Sequence, residues 1–375
     1  MISTRRNSKK IWVGDVPIGG DSPITVQSMT KTDTRDVNAT VNQIHALEDA
    51  GCEIIRSAVP DLEAAEALES IKKRINIPII ADIHFHYKLA LQAIESGVDG
   101  LRLNPGNIRD REKVQVITQA AKERRIPIRV GVNFGSLPPV GGIGITGASS
   151  RVLDGVNKLS KEGQEEGETG TVVDHMIKTA LWEIGILEEL DFDLIKISMK
   201  AFDVPTTVEA YSRLVELIPY PLHLGITEAG TVAAGSIRSA VGLGIILSMG
   251  IGDTIRVSLA GDPVNEVEAG YDILKSLNLR QKGVTLIACP SCGRADVDII
   301  KWSNLVDEAL KKTKKEGLKI AVRGCEVNGP GEAKDADIGL AAGAGRGLIF
   351  RKGQKVRVIP EEEFLTALIE EIEKV

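Results

Sequence analysis

A unit made of a short apolar run and a longer amphipathic stretch recurs eight times between residues 24 and 276. The apolar runs are rich in Val and Ile and read PITVQSM, CEIIRSAV, IPIIADIH, GLRLNPG, IPIRVGVN, DLIKISMK, PLHLGITEAG and TIRVSLAG. Strands that alternate with helices form parallel sheets, and eight such units within about 250 residues are typical of a (β/α)8 barrel. The sequence therefore predicts an α/β fold that begins with a TIM barrel. A doubly wound open sheet is the alternative, and the absence of a G-x-G-x-x-G motif after the first run disfavours it.

The barrel pattern ends near residues 278–284, where a shorter α+β pattern begins. We expect a domain boundary there, which gives a substrate-binding barrel over residues 1–277 and a second domain over residues 278–375. In the second domain we predict strands at VTLIAC, LKIAVRGC, GLIFRKG and KVRVIP, a glycine-rich turn region after LKIAVRGC, and helices at NLVDEALKKTKKEG and EEEFLTALIEEIEKV.

Local signals predict the ends of two barrel helices. Asp36 or Asn38 is available to cap the first helix, and Gly51 is expected to end it. Another helix is expected to start near Val172, after a polar, glycine-rich loop over residues 136–170. Loops of this length are usually functional or disordered, and the sequence assigns this one no role.

Composition argues against several classes of function. The net charge is −6 and only 3% of residues are aromatic, which disfavours both a basic nucleic-acid footprint and a stacking platform for bases. No run approaches the ~18 apolar residues that span a bilayer, and the first residues lack the apolar stretch of a secretory signal. We therefore expect a cytoplasmic protein that binds neither nucleic acid nor membrane.

Polar side chains stand at the predicted carboxyl ends of the strands, where barrel enzymes place their chemistry. Because residues two apart on a strand share a face, many of them are expected to converge. The set is Arg56, Asp82, His84, Arg102, Asn104, Arg129, Asn133, Lys196, Ser198, Lys200, Glu228, Arg256 and Ser258. Burying several cations is costly unless a partner balances them, and Arg and Lys suit phosphate oxygens. The sequence therefore predicts an anion site for more than one phosphate. Internal salt bridges with Asp82 and Glu228 are the alternative.

The cysteines indicate a second kind of chemistry. Cys52 lies in an apolar stretch and is predicted to be a small buried side chain. Cys289 and Cys292 form a C-x2-C pair in a domain without histidine, and Cys325 is followed by the turn 328–331 and Glu332. Three thiolates leave one iron of a four-iron cluster open to another ligand, such as a carboxylate. The spacing leaves a cluster, a structural zinc site and unmetalled thiols open.

Taken together, these motifs resemble the bacterial 4-hydroxy-3-methylbut-2-en-1-yl diphosphate synthases of the non-mevalonate isoprenoid pathway. The resemblance covers nearly the whole chain, with the motifs in matching order. The strings that match are VGDVPIGGDSPITVQSMT, ADIHFHYKLAL, GLRLNPGNI, RVGVNFGSL, LHLGITEAG, GIGDTIRVSLAGDPVNEV, ACPSC and GCEVNGPGE. Within VNFGSL the chain departs from the family pattern, since Phe134 stands where a small residue is expected.

The resemblance implies that the barrel is followed by a small α+β iron–sulfur domain of the ferredoxin/sulfite-reductase-like kind. That domain is implied to hold one 4Fe-4S cluster per chain on Cys289, Cys292, Cys325 and Glu332. The implied reaction is the reductive ring opening and dehydration of 2-C-methyl-D-erythritol 2,4-cyclodiphosphate to 4-hydroxy-3-methylbut-2-enyl diphosphate, by two one-electron transfers. Reduced flavodoxin or ferredoxin is the implied donor, and a homodimer is implied whose active site forms between chains.

The resemblance also implies roles for single residues. Glu228 is expected to supply or shuttle protons, and Asn328 to contact the substrate from the cluster side. We expect the diphosphate substrate to be bound by Arg56, Asp82, His84, Arg102, Asn104, Arg129, Asn133, Lys200, Arg256, Ser258 and Asn328. Two other functions stay open as alternatives. One is a phosphate-binding barrel lyase or aldolase with a structural metal in the C-terminal domain, and the other is a non-enzymatic iron–sulfur carrier.

Overall fold

Two compact units, residues 1–277 and 278–375, make up the computed structural model of the chain. It describes residues 3–84, 86–108, 110–137, 171–313, 315–325, 335–343 and 345–375. Most of the long loop of residues 136–170 and all of the turn 328–331 lie outside the described residues. No helix in the described ranges is both long and apolar enough to cross a membrane.

A short antiparallel hairpin that the sequence analysis did not predict precedes the barrel. Its strands are β1 (Ile11–Val13) and β2 (Val16–Ile18). Ile11, Val13 and Ile18 are fully buried and pack against Ile54 and Ile80. These two isoleucines stand near the amino ends of barrel strands, so the hairpin covers the barrel at the end opposite the predicted site.

Eight parallel strands of the described residues form the barrel. They are β3 (Thr25–Met29), β4 (Ile54–Ala58), β5 (Ile79–Asp82), β6 (Gly100–Arg102), β7 (Ile128–Asn133), β8 (Ile195–Lys200), β9 (His223–Leu224) and β10 (Thr254–Ile255). Their spatial order is β8-β7-β6-β5-β4-β3-β10-β9. A parallel bridge between Ile197 and Leu222 brings the two edges of this sheet together. The predicted TIM barrel is confirmed.

The barrel helices pack around this sheet. They are α1 (Val37–Ala50), α2 (Leu62–Lys72), α3 (Tyr87–Glu95), α4 (Arg111–Glu123), α5 (Val172–Glu189), α6 (Val204–Leu214), α7 (Val232–Ser248) and α8 (Pro263–Ser276). Short 3-10 turns follow two strands, Pro105–Asn107 after β6 and Phe134–Ser136 after β7.

The ends of α1 and the start of α5 agree with the sequence signals. The Asp36 carboxylate accepts a bond from the Ala39 N–H at 3.0 Å, which satisfies one of the free donors of the first turn. Gly51 ends the helix with a φ of 98°, a left-handed conformation that glycine adopts without strain. Helix α5 begins at Val172, so the predicted cap, stop and start are confirmed.

The second unit has a mixed sheet with both helices on one face. Its elements are β11 (Thr285–Ala288), α9 (Ile299–Leu310), β12 (Lys319–Arg323), β13 (Ile338–Gly343), β14 (Arg346–Arg351), β15 (Gln354–Pro360) and α10 (Phe364–Glu373). The strands run in this order across the sheet. Strands β11, β12 and β13 are parallel to one another, whereas β14 pairs antiparallel with both β13 and β15. Buried side chains of both helices share one core with Ile349.

Two details of the second unit differ from the prediction. Strand β13 was not predicted, because its sequence IGLAAG is dominated by Gly and Ala and was interpreted as turn. Helix α9 begins at Ile299 and ends at Leu310, earlier at both ends than the predicted segment. The Asp298 carboxylate caps it by accepting from the Lys301 N–H at 3.0 Å.

Candidate active site

A cavity of about 210 Å³ opens where the barrel strands end, and predicted site residues form most of its wall. Its lining consists of Arg56, Asp82, His84, Arg102, Arg129, Asn133, Ser198, Lys200, Thr227, Arg256 and Ser258. Of these, only Thr227 was not predicted. The parity of charged residues along the strands therefore located the cavity, and Thr227 was missed because its small polar side chain gives no distinctive signal.

Parallel pairing aligns the charged residues at one level of the barrel. Asp82 of β5 stands beside Arg102 of β6, and Arg102 stands beside Arg129 of β7. Four residues further along β7, Asn133 is paired with Lys200 of β8. Since neighbouring strands lie about 4.8 Å apart, this register places several cations within a few ångströms of one another.

Asp82 is the only carboxylate among the described residues that line the cavity. Its side-chain oxygens lie 3.6 Å from Arg56 Nε and 3.7 Å from Arg102 Nε. Burial acts to raise the Asp82 pKa, but the charges of Arg56 and Arg102 outweigh it and hold the pKa below its ordinary value. Asp82 is therefore ionised and holds the two guanidinium groups in place.

The cations outnumber this acid. Arg129 and Lys200 are buried, and burial together with neighbouring cations holds the pKa of each well below its ordinary value. For Lys200 the opposing cations are Arg129, Arg256 and Arg56. A bound anion would relieve both the lost hydration and the mutual repulsion of these groups.

Glu266 of helix α8 supports the cavity from behind and was not predicted. It is fully buried, with its carboxylate 3.4 Å from Arg256 Nη2 and 3.1 Å from Lys31 Nζ. It also accepts a bond from the Leu259 N–H at 3.1 Å. A glutamate on a predicted helix is normally assigned to the surface, and the signal that it is buried is its spacing from Gly270 and Leu274 on one helix face.

Two predicted contacts have other partners in the structure. The Asn104 amide bonds the Gly131 backbone at both ends, donating to its carbonyl and accepting from its N–H, each at 2.9 Å. Asn104 therefore joins β6 to β7 and does not line the cavity. His84 lines it with Nδ1 3.1 Å from Arg102 Nη1, and burial lowers the His84 pKa. Phe134 is half exposed and lies outside the cavity lining.

Glu228 has an unusual backbone conformation. Its φ is 53°, in the left-handed region that residues with a side chain seldom occupy. It follows Thr227, which lines the cavity, and the residue is exposed. Strain of this kind persists where the surrounding structure enforces it and is common at functional sites.

The cysteines of the second unit follow neighbouring parallel strands. Cys289 comes directly after β11 and Cys325 shortly after β12, so both lie at the same edge of the sheet. The Cys289 N–H donates to the Val322 carbonyl at 2.9 Å, and the Asp296 N–H to the Gly324 carbonyl at 3.0 Å. These bonds fix the Cys289–Cys292 loop beside the segment that leads to Cys325. None of these three cysteines forms a disulfide, and all three are at least partly exposed.

The structure describes the fourth cysteine, Cys52, but not the predicted carboxylate ligand, Glu332. Cys52 is buried, which raises its thiol pKa to about 12 and confirms that it is a small core side chain. Asn328 and Glu332 lie outside the described residues. Among the residues that are described, no three Cys, His, Asp or Glu side chains form a ready-made metal site.

Two family models match consecutive parts of the chain. The GcpE TIM-barrel domain matches residues 8–271, and the GcpE protein C-terminal domain matches residues 285–374. The chain belongs to the GcpE family.

Named relatives agree with the GcpE assignment over the full length. The chain is 56% identical to the 4-hydroxy-3-methylbut-2-en-1-yl diphosphate synthase (flavodoxin) of Dehalococcoides mccartyi, over 98% of this chain and 99% of that protein. It is 54% identical to the protein of the same name from Geobacter sulfurreducens, over 99% and 98%. The predicted family is therefore confirmed. Its enzyme class, an oxidoreductase, is confirmed as well. The lyase or aldolase alternative is not favoured.

In this GcpE cavity, Asp82→Asn is expected to destabilise the ligand-free protein. Loss of the carboxylate leaves Arg56 and Arg102 buried without their partner, which typically costs about 3–5 kcal/mol. The free energy of unfolding, measured by urea titration at neutral pH, tests this. The difference in unfolding free energy between the variant and the unchanged protein should become smaller as acid protonates Asp82. A carboxylate whose pKa is lower in the folded state stabilises the fold only at pH values where it is ionised.

The matched control is Asp193→Asn. Asp193 is two-thirds exposed and pairs with Lys9 at the surface, so the same chemical change there should cost less than about 1 kcal/mol. Equal losses for the two variants would show that Asp82 does not stabilise the buried cations.

Proposed function

We propose that this chain converts 2-C-methyl-D-erythritol 2,4-cyclodiphosphate to 4-hydroxy-3-methylbut-2-enyl diphosphate by reductive ring opening and loss of water. The observation that carries the proposal is the buried cationic cavity of a GcpE-family barrel. The relatives are named for a diphosphate product, and a diphosphate is the kind of polyanion that such a cavity favours.

The cationic wall is proposed to bind both phosphates of the substrate. Arg56 and Arg102 are oriented by Asp82, and Arg256 is oriented by Glu266. Fixed guanidinium groups lose little freedom on binding and match the geometry of phosphate oxygens. Lys200 adds a further cation, because the phosphates of the substrate would stabilise its protonated form. His84, Asn133 and Ser258 add hydrogen-bonding groups to the same wall.

Glu228 is proposed to hold and transfer a proton. The reaction removes a hydroxyl group as water, and that departure requires a proton. A carboxyl group beside the cavity supplies one at its oxygen, and the left-handed backbone at Glu228 fixes where the side chain starts.

The second unit is proposed to hold one 4Fe-4S cluster on Cys289, Cys292 and Cys325, with Glu332 as the fourth ligand. The donor set fits, since Cys289 and Cys325 follow the ends of neighbouring strands, Cys292 lies in the loop after Cys289, and the domain has no histidine. Thiolates are the ordinary ligands of such clusters. When bound, the cluster would deliver electrons singly to the substrate. We propose reduced flavodoxin as the electron donor, because the relatives' names specify it. Ferredoxin is the alternative, and the cytoplasm is the proposed location.

Cys325→Ser is expected to abolish both cluster and turnover, because a hydroxyl is a poor substitute for a thiolate. The protein is purified without oxygen and assayed for iron, sulfide and product formation from the cyclodiphosphate with reduced flavodoxin. The unchanged protein should contain about four irons and four sulfides per chain.

Cys52→Ser is the matched control, since Cys52 is buried in the barrel unit. It should keep the iron, the sulfide and most of the activity. Full iron and turnover in Cys325→Ser would contradict the ligand assignment. Unchanged protein that holds cluster but forms no product would contradict the reaction.

A homodimer is also proposed, and helix α7 supports it. Arg238 is the only charged residue in this 17-residue helix, and its guanidinium turns back to the Ala229 carbonyl and the Phe202 ring. Ile237, Val241 and Ile245 form an exposed apolar stripe, with Ile237 68% exposed. Stripes of this kind mark contact surfaces, and we propose that a second copy of the chain covers this one.

The proposed dimer completes each active site with the barrel of one chain and the cluster domain of its partner. Mixing two inactive variants tests this directly. Glu228→Gln removes the barrel acid, and Cys325→Ser removes the cluster. In a mixed dimer one site has both defects and the other has none, so random exchange should restore about a quarter of full activity. Verified mixed dimers that stay inactive would show that each site is built within one chain.

A further inference from the structure

Glu183 of helix α5 is a buried acid that does not line the cavity. Its exposed fraction is only 2%, and its Oε2 accepts a hydrogen bond from the Gly106 N–H at 2.6 Å. Gly106 lies in the 3-10 turn Pro105–Asn107, which begins three residues after Arg102 at the end of β6. A buried carboxylate on one helix therefore holds the backbone of a turn beside the cavity.

Helix and turn are in direct contact at this point. A methyl group added at Gly106 would overlap the Trp182 ring and lie 2.7 Å from Glu183 Oε1. The turn thus rests on two consecutive side chains of α5, and only glycine allows it to come this close.

The turn continues into the groups that shape the anion site. Asn104, two residues before Gly106, clamps the Gly131 backbone from both sides. Arg102 donates from Nη2 to the Gly131 carbonyl at 3.3 Å. Displacement of the turn would therefore shift Asn104 and, through Gly131, the support of Arg102.

We propose that Glu183 is a positioning residue for substrate binding, which holds the Pro105–Asn107 turn so that Asn104 stays bonded to Gly131 and Arg102 keeps its place in the cavity wall. This inference rests on the proposed function, because it presumes that the cavity binds a diphosphate. Glu183 acts through the Gly106 backbone and is not proposed to touch the substrate.

The protonation of Glu183 determines which variant mimics it. Burial raises its pKa to about 7, against the opposing effects of the Gly106 bond and the Arg102 charge. Glutamine keeps a carbonyl oxygen that accepts from Gly106 and resembles the protonated acid. Leucine has a similar size but no acceptor.

The test compares Glu183→Gln and Glu183→Leu in full-length protein purified without oxygen. Dissociation constants for inorganic pyrophosphate and for the cyclodiphosphate are measured by calorimetry, and KM and kcat by turnover. Exchange of the Gly106 amide hydrogen reports the contact itself. Glu189→Gln is the matched control, because Glu189 lies on the same helix and pairs with the exposed Arg111.

We expect Glu183→Leu to weaken pyrophosphate binding about tenfold or more, the size of loss typical when a buried donor such as the Gly106 N–H is left without its acceptor. KM should rise with little change in kcat, and the Gly106 amide should exchange faster. Glu183→Gln and Glu189→Gln should stay within about threefold of the unchanged protein. Normal pyrophosphate binding by Glu183→Gln would show that the hydrogen bond to Gly106 positions the turn, and that the loss in Glu183→Leu is not a general loss of packing.

Folded Glu183→Leu that binds pyrophosphate as the unchanged protein does would overturn the inference and leave the proposed function standing. Unchanged protein that binds neither pyrophosphate nor cyclodiphosphate would overturn both. If Glu183→Leu does not fold, Gly106→Ala decides, since its added methyl group pushes the turn from α5 while Glu183 stays. Weaker pyrophosphate binding by folded Gly106→Ala would support the inference, and unchanged binding would overturn it.

Discussion

Buried positive charge at the carboxyl end of the barrel is the constraint on which the site depends. Arg56 and Arg102 share Asp82, while Arg129 and Lys200 are buried among other cations. The barrel keeps these groups together because parallel pairing fixes their level and the β1–β2 hairpin packs the opposite end. Such an arrangement is costly without an anion, so the fold is prepared for a ligand that carries several negative charges.

Alternation along strands explains why the sequence predicted so much of the site. Inward positions two apart remain inward in any regular strand, and this located Arg56, Lys200 and Arg256 without coordinates. Glu266 and Glu183 were missed because they lie on helices, where an acid is normally interpreted as solvent-exposed. Asn104 has the predicted parity, but its amide bonds the Gly131 backbone, which strand alternation alone does not predict.

The second unit repeats the same logic with a different chemistry. Cys289 and Cys325 follow neighbouring parallel strands, much as the cations follow the barrel strands. The sequence predicted this α+β unit but not strand β13, because Gly and Ala give little indication of a strand that is buried on both faces. The anion site and the thiols lie on separate units, and the proposed reaction needs both. The proposed dimer would combine them in one active site.

Thermal unfolding of protein purified without oxygen, with and without added pyrophosphate, is the most direct test of a diphosphate site at the buried cations. If the buried cations are a diphosphate site, pyrophosphate at 100 times its dissociation constant should stabilise the fold by about 2.7 kcal/mol. Sodium chloride at equal ionic strength should raise the unfolding temperature far less, because screening is weak for buried charges. Equal shifts with pyrophosphate and chloride would show that the cavity holds no specific diphosphate and would contradict the account.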